Sequence, residues 1–386
     1  MGVRAGLRAM VEVSRHLPVL TRAAVPGEGM AIANLWRELW EASETWGGYP
    51  ASHDSRAYAE LGQRIDASLR LRAGQTVSGR DIHLVADIAG LPCGQVEGSV
   101  DRHGVDPTTP FSCEVRSLIV TGAARGRGAG RALLSALANA AMTVTGGASC
   151  VLTAEVLESN PALAFYEREG YVPIGHCARI RTSSGGSLSG ESTGPTGARF
   201  ALAPDALSVA RLDGVLAARL RAAGDLRVDD PATTRGILKE LCRIGSESRR
   251  GCNLPKLTGG ARLGPLASHF RAHMDGRPPN PVTLVSVTDN GTVLGAALFA
   301  VQTLEPPFIP MCRAGVGRVA VFPESPIGHT VASLVALASR LALDRGAPYL
   351  EVSDLPAPGT ELHDAAAAVG AVPWSRVVAR LAARDA

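Results

Sequence analysis

Residues 114–137 read "EVRSLIVTGAARGRGAGRALLSAL". An apolar run ending in Leu118, Ile119 and Val120 passes into four small residues, then into a loop alternating Arg and Gly, then into a helical pattern. A glycine-rich loop between a strand and a helix turns several backbone N–H groups toward one point, and the helix dipole adds partial positive charge there. Arg125, Arg127 and Arg131 add side-chain charge around that point. The stretch therefore predicts a cradle for an anion such as phosphate. Spacing excludes two familiar phosphate loops. No Lys follows the glycines, as the G-x-x-x-x-G-K-[ST] loop requires. Arg131 stands where the last Gly of G-x-G-x-x-G should be.

Working outward, Ile32, Leu35, Trp36, Leu39 and Trp40 recur at helical spacing, and a second helix fits Ser55–Arg72. Segments 81–90 and 94–103 read as two strands joined by a turn at Leu91, Pro92 and Cys93. Beyond the loop, Leu133, Leu134, Leu137, Ala138 and Ala141 form one apolar helix stripe. A strand follows at 149–156, then the short helix "NPALAFYEREG" with Asn160 as cap, Pro161 at its first position and Gly170 as its stop. Another strand fits 171–180. Segment 183–197, rich in Ser and Gly, reads as a domain linker or as a long hairpin loop, with Ala198–Ala203 returning as the last strand of the first domain. Helical patterns fill 207–274. The tail then repeats the earlier order: a hairpin turning at Asn290-Gly291, a strand, a long helix, a strand, a short helix and a strand. The repetition implies duplication at domain scale, with domains at 1–205 and 206–386 and an α/β or α+β class.

Arg125-Gly126-Arg127-Gly128-Ala129-Gly130 fits R-x-x-G-x-G after a strand, and about thirty residues on stand Asn160, Tyr166 and Gly170-Tyr171. Together these resemble the GNAT superfamily of acyl-CoA-dependent N-acyltransferases, over roughly Leu17–Ala203. The repeated tail resembles the tandem GNAT subfamily, some of whose members serve natural-product and antibiotic pathways. The resemblance implies two tandem domains, each a mixed, mostly antiparallel, splayed sheet flanked by helices. It implies acetyl-CoA or another acyl-CoA as cosubstrate, with no metal. Pyrophosphate would rest on main-chain N–H groups of Arg127, Gly128, Ala129, Gly130 and Arg131 and on the Arg125 side chain, with Gly126 shaping the loop. Pantetheine would bond to main chain around Leu118, Ile119 and Val120 and to Asn160, beside Phe165 and Tyr166. The Val120 N–H or a neighbour would hold the oxyanion, and Tyr166 would protonate the leaving thiolate.

The incoming amine must lose a proton. Glu114 leads the candidates for that base, followed by Glu155 and Glu158, then His83 and His103; a water relay needs none of them. In the tail, the loop register stays open by one residue. With Ala320 opposite Val120, the motif positions hold Ser325, Gly328 and Thr330; with Val321, they hold Pro326, His329 and Val331. Either way the Arg and the last Gly are missing. Ala366 stands at the place of Tyr166 and Thr360 at that of Asn160. The second copy is expected to be degenerate, though His329 could contact a phosphate.

Length, charge and composition frame the rest. The 386 residues are 46% hydrophobic, enough for two cores, and carry a formal charge of only +3. A nucleic-acid partner is not expected, nor is a membrane one, since no apolar run is long enough to span a bilayer and the N-terminal stretch has no secretory pattern. Lys239 and Lys256 are the only lysines, which reads as coding bias. Seven scattered cysteines predict a reduced, cytoplasmic protein without structural zinc. The expected acceptor is a small-molecule amine; its identity, the acyl length and the oligomeric state are not legible.

Overall fold

A computed structural model describes residues 18–73, 81–102, 111–148, 150–182, 196–201, 208, 212, 282–304, 307–322, 324–355 and 358–382. The expected helices of 207–274, His103, Cys242, Cys252 and the segment 183–195 lie outside these residues, apart from single helical positions at 208 and 212.

The first half runs β1 (Leu20–Ala23), α1 (Gly29–Thr45), α2 (Ser55–Ala73), β2 (Asp81–Ile88), β3 (Leu91–Arg102), β4 (Phe111–Val120), α3 (Ala129–Val144), β5 (Cys150–Leu157), α4 (Ala162–Arg168) and β6 (Val172–Arg181). The second runs β7 (Thr196–Phe200), β8 (Val282–Thr288), β9 (Val293–Leu304), β10 (Met311–Val321), α5 (Ile327–Asp344), β11 (Tyr349–Leu355), α6 (Glu361–Ala368) and β12 (Val372–Ala382). From β2 onward in the first half and β8 onward in the second, the two orders match element for element, as the repeated sequence pattern predicts.

Two expectations need correcting. Leu91, Pro92 and Cys93 open β3 rather than forming a turn; the turn is Ala89-Gly90, both with positive φ (54° and 78°). A two-residue turn of that hand matches the twist of a hairpin. Segment Ala198–Ala203 does not close the first half. Thr196–Phe200 pairs antiparallel with Val282–Thr288, so this strand belongs to the second half.

The described strands form one sheet in the order β1-β2-β3-β4-β5-β12-β6-β11-β10-β9-β8-β7. The halves have exchanged their last strands. The last strand of the second half, β12, lies antiparallel against β5, and the last strand of the first half, β6, lies against β11. The two exchanged strands also pair with each other, so a pseudo-twofold axis passes between them.

Each half has its own core. Helix α3 lays Leu133, Leu134, Leu137, Ala138 and Ala141, all buried, on β2–β5 with Val96, Val100, Cys113, Val115, Leu152 and Ala154. Burying each such leucine contributes about 1.5–3 kcal/mol. Helix α5 does the same for the second half through Val331, Leu334, Val335 and Ala338. The opposite face of the first half is covered by α1 and α2, with Ile32, Leu69 and Val85 buried between them and the sheet. Cys93, Cys113, Cys150 and Cys177 are buried and Cys312 is partly buried. Among the described residues no helix is long and apolar enough to cross a membrane.

Candidate functional site

Strands β4 and β5 run parallel and paired only from Phe111↔Cys150 to Val115↔Ala154. Beyond that point they part. The cause lies in β4 itself: Glu97 pairs with Ser117 but Gly98 pairs with Val115, so Arg116 is an extra residue that bends the strand. Past the bulge, the Thr121 N–H donates to the Cys93 carbonyl at 2.9 Å. Amides alternate along an antiparallel ladder, so Ile119 also faces β3, while Leu118 and Val120 face the side that β5 has left. A wedge therefore opens between β4 and β5, edged by the backbone of Leu118 and Val120.

The Arg/Gly loop closes the mouth of the wedge. Gly126 and Gly128 have φ of 76° and 82°, conformations that a side chain would strain. They swing the chain into α3, whose first bond is from the Ala132 N–H to the Gly128 carbonyl at 2.9 Å. Among the described residues the N–H groups of Gly126, Gly128, Ala129, Gly130 and Arg131 have no backbone acceptor. No side chain caps α3 and its first turn carries no acid. Arg125 is 62% exposed and donates from Nε to the Val120 carbonyl at 3.1 Å, which holds its guanidinium at the wedge. Arg131 is engaged differently from the expectation of loose charge around an anion: its Nε bonds both carboxylate oxygens of Glu169 at 2.9 and 3.1 Å. Glu38 on α1, which sequence reasoning missed, accepts from the Gly122 N–H at 2.9 Å and lies 3.5 Å from Arg125 Nη2. Nothing local in the sequence signals a contact across 84 residues.

Helix α4 is held against this loop. A side chain at Gly130 would come within 3.1 Å of Phe165, so the ring lies directly over the start of α3. Tyr166, the next residue, is 6% exposed and packs edge-on against Phe165 and Tyr171, at 5.5 and 5.1 Å between ring centres. Burial pushes its hydroxyl well above the ordinary phenol range, so it stays protonated throughout neutral pH. The cap position is Pro161 rather than the expected Asn160, because the helix begins one residue later; Asn160 Oδ1 still accepts from the Ala162 N–H at 2.9 Å.

The candidate bases separate by the face they occupy. Cys113, Val115, Leu152 and Ala154 face α3, so the alternating positions Glu114, Thr153 and Glu155 face the other side. Glu114 lies one residue before the last paired position of β4, and Glu155 is the first residue of β5 past it. The structure thus brings Glu114 and Glu155 to the fork of the wedge. Glu155 accepts from Ser375 Oγ of β12 at 2.5 Å. Glu158 is elsewhere and occupied: Arg376 binds both its oxygens, at 3.0 and 2.9 Å from Nε. His83 lies away from the fork but is joined to it, since its Nε2 bonds Gln95, whose Nε2 donates to Ser117 Oγ beside the bulge at 3.2 Å.

In the second half the register is settled by hydrogen bonds. The Phe322 N–H donates to the Leu294 carbonyl as the Thr121 N–H does to Cys93, and Val321 pairs with Gly295 as Val120 does with Gly94. Val321 therefore matches Val120, and Pro326, His329 and Val331 stand at the three motif positions. The loop itself is gone. Helix α5 begins at Ile327, three residues before the position matching Ala129, with the Thr330 N–H already bonded to the Pro326 carbonyl at 3.0 Å. Ala366 occupies the place of Tyr166, for the Ala371 N–H bonds its carbonyl as the Tyr171 N–H bonds that of Tyr166.

A second feature missed in the sequence lies where the halves meet. Glu351 of β11, buried, takes Arg179 Nη2 of β6 at 3.1 Å and Arg313 Nη2 of β10 at 2.6 Å, and bonds the Tyr49 hydroxyl. The Arg179 guanidinium lies 3.5 Å from the centre of the Trp374 ring and 4.2 Å from that of Tyr49. Arg179 Nη1 and Trp374 Nε1 both donate to the Gly47 carbonyl, at 2.9 and 3.0 Å. The segment after α1 is thereby fastened across the exchanged strands. A cavity of about 390 Å³ lined by Ser52, Asp54, Arg56, Phe308 and Ile309 shares no residue with the wedge.

Residues 79–173 match the family model described as an acetyltransferase (GNAT) domain. Among solved structures, a GCN5-related N-acetyltransferase from Sphaerobacter thermophilus is similar over 95% of this chain and 97% of its own, at 16% identity and a TM-score of 0.53. A tandem GNAT protein from the clavulanic acid biosynthesis pathway is similar over 95% and 100%, at 16% identity and a TM-score of 0.49. The glucosamine N-acetyltransferase region of a fungal multi-domain β-N-acetylglucosaminidase matches over 94% of this chain and 38% of that one, at 14% identity and a TM-score of 0.50. Curated proteins give no match. Residues 79–173 are thus similar to a GNAT acetyltransferase domain, and the chain shares its overall fold with the Sphaerobacter thermophilus GCN5-related N-acetyltransferase.

Proposed function

We propose that the first half transfers an acetyl or other short acyl group from acyl-CoA to a small-molecule amine, by direct attack in a ternary complex. The observation that carries this reading is the meeting of the open Leu118 and Val120 backbone with the outward N–H groups of Gly126, Gly128, Ala129 and Gly130. One part suits an extended amide-bearing arm and the other its pyrophosphate. The arm would lie in the wedge like an added strand, with Asn160 and Phe165 beside it.

The amine nitrogen attacks the thioester carbonyl carbon. Its oxygen becomes an oxyanion facing the Val120 N–H, a donor whose contribution in such sites is about 3–4 kcal/mol. The carbon–sulfur bond then breaks, and the thiolate takes the proton that burial keeps on Tyr166. The proton lost by the amine goes to Glu114 or Glu155, directly or through water. The second half, lacking loop and tyrosine, turns nothing over and serves as a wall. A natural-product amine as acceptor is part of this reading.

The competing reading is an acyl-CoA sensor without turnover, and it is favoured by the same cradle. The two are separated by following release of free thiol from acetyl-CoA across a panel of amines, with CoA binding measured in parallel. Thiol release that depends on an amine supports the transferase. Tight CoA binding with no release by any amine overturns it in favour of the sensor.

A further inference from the structure

Arg313 is held in an unusual way. Glu351 grips its Nε at 2.8 Å and Nη2 at 2.6 Å, so the guanidinium is fixed, and it lies deep among other charged and aromatic groups. Yet 35% of its side chain remains open to solvent, against 8% for Arg179, which shares the same glutamate. Two arginines against one glutamate leave one positive charge in excess. The next carboxylate whose charge acts on Arg313 is that of Glu155, at the fork of the wedge. Both groups lie on the sheet face opposite α3 and α5. Tyr49 lies within 5.7 Å of the Arg313 guanidinium and stacks at 6.0 Å edge-on against Trp374, whose neighbour Ser375 bonds Glu155. An aromatic wall therefore runs from the fork toward Arg313, with negative charge at one end and a fixed positive charge at the other.

We propose that the acceptor carries a carboxylate as well as its amine, the amine meeting Glu155 at the fork and the carboxylate meeting Arg313 of the second half. This rests on reading the first half as an acyltransferase. A molecule with ammonium and carboxylate at opposite ends matches the order of charges along the wall. A diamine would bring its far end against Arg313, and a dicarboxylate would meet Glu155. A guanidinium already pinned by Glu351 loses little freedom when a second carboxylate binds, which favours a rigid anion subsite over a mobile surface arginine.

The test compares ω-amino acids of three to six carbons with the matching carboxamides, with acetyl-CoA saturating. The acids should exceed the amides in kcat/KM by about ten- to a hundredfold at the best length, the size of a charge-assisted hydrogen bond. In Arg313→Gln that ratio should fall to about one, and Arg313→Lys should restore part of it; melting temperature and CoA affinity of each variant show whether the fold persists. Should Arg313→Gln fail to fold, the acid-to-amide ratio in the native protein and in Arg313→Lys still decides. Equal rates with acids and amides overturn the carboxylate subsite while leaving acyl transfer intact. Acetyl-CoA binding with no turnover of any amine overturns both.

Discussion

The two halves differ most at positions that the pseudo-twofold axis makes equivalent. In the first half Ser112, Thr153 and Ala379 meet on the face opposite α3; in the second, the matching positions hold Arg313, Glu351 and Arg179. The first set is small and buried, whereas an ion cluster and the inserted Tyr49 occupy the second. The mouths differ in the same sense. Gly126 and Gly128 keep the first loop out of helical geometry with its amides outward, while the second loop has wound into α5, where the Thr330 N–H is already bonded to the Pro326 carbonyl. At these matched positions the second half holds a fastening that the first half lacks. The altered loop and the ion cluster are separate differences between the halves.

The largest effect that would break this comparison concerns stability. Glu351→Ala leaves the buried Arg179 and the half-buried Arg313 uncompensated and should destabilise the protein by about 3–5 kcal/mol, measured by denaturant unfolding. The matched Thr153→Ala should cost about 1 kcal/mol. Comparable losses at both sites would mean that the cluster is no fastening. Next comes Tyr166→Phe, which should lower kcat by about a hundredfold with CoA affinity unchanged in a direct binding assay; an unaltered kcat removes the tyrosine from the mechanism. Smaller again is Gly128→Val, where φ of 82° makes a side chain cost about 1–2 kcal/mol, so CoA should bind about tenfold more weakly. His329→Val at the matched position should leave CoA affinity alone. The smallest signal is a count: native mass measurement at saturating CoA should show one molecule per chain. A second would mean that the wound-up loop still holds an anion.

The repeat was legible in the sequence because strand and helix periods recur in the same order, and the first cleft because a glycine-rich loop must carry its geometry locally. Asn160 at the helix start and Gly170 as stop are of the same local kind. The strand exchange was not legible. "YVPIGHCARI" and "VPWSRVVARL" each alternate toward a sheet core, and that alternation is satisfied equally by either neighbour. The same blindness placed Ala198–Ala203 with the wrong half. Arg179, Arg313 and Glu351 are spread over 172 residues and look like ordinary charged positions in strands until the exchange brings β6 beside β11. Of the candidate bases, Glu114 could be put first, but Glu155 could not be distinguished from Glu158, since only the pairing of β5 with β12 decides which partner each receives.

The exchange also sets the order in which the chain can finish folding. Strand β12, at the very end of the described chain, is what lies between β5 and β6, and it reaches the first half across the whole second half. Until it is synthesised and threaded into place, β5 and β6 present open edges to the cell, the kind of edge that invites pairing with other chains. The first half, although complete in its motifs by residue 171, must wait for the last strand of its partner before β6 joins the sheet of β1 to β5. The second half cannot be removed without also removing the strand that lies between β5 and β6.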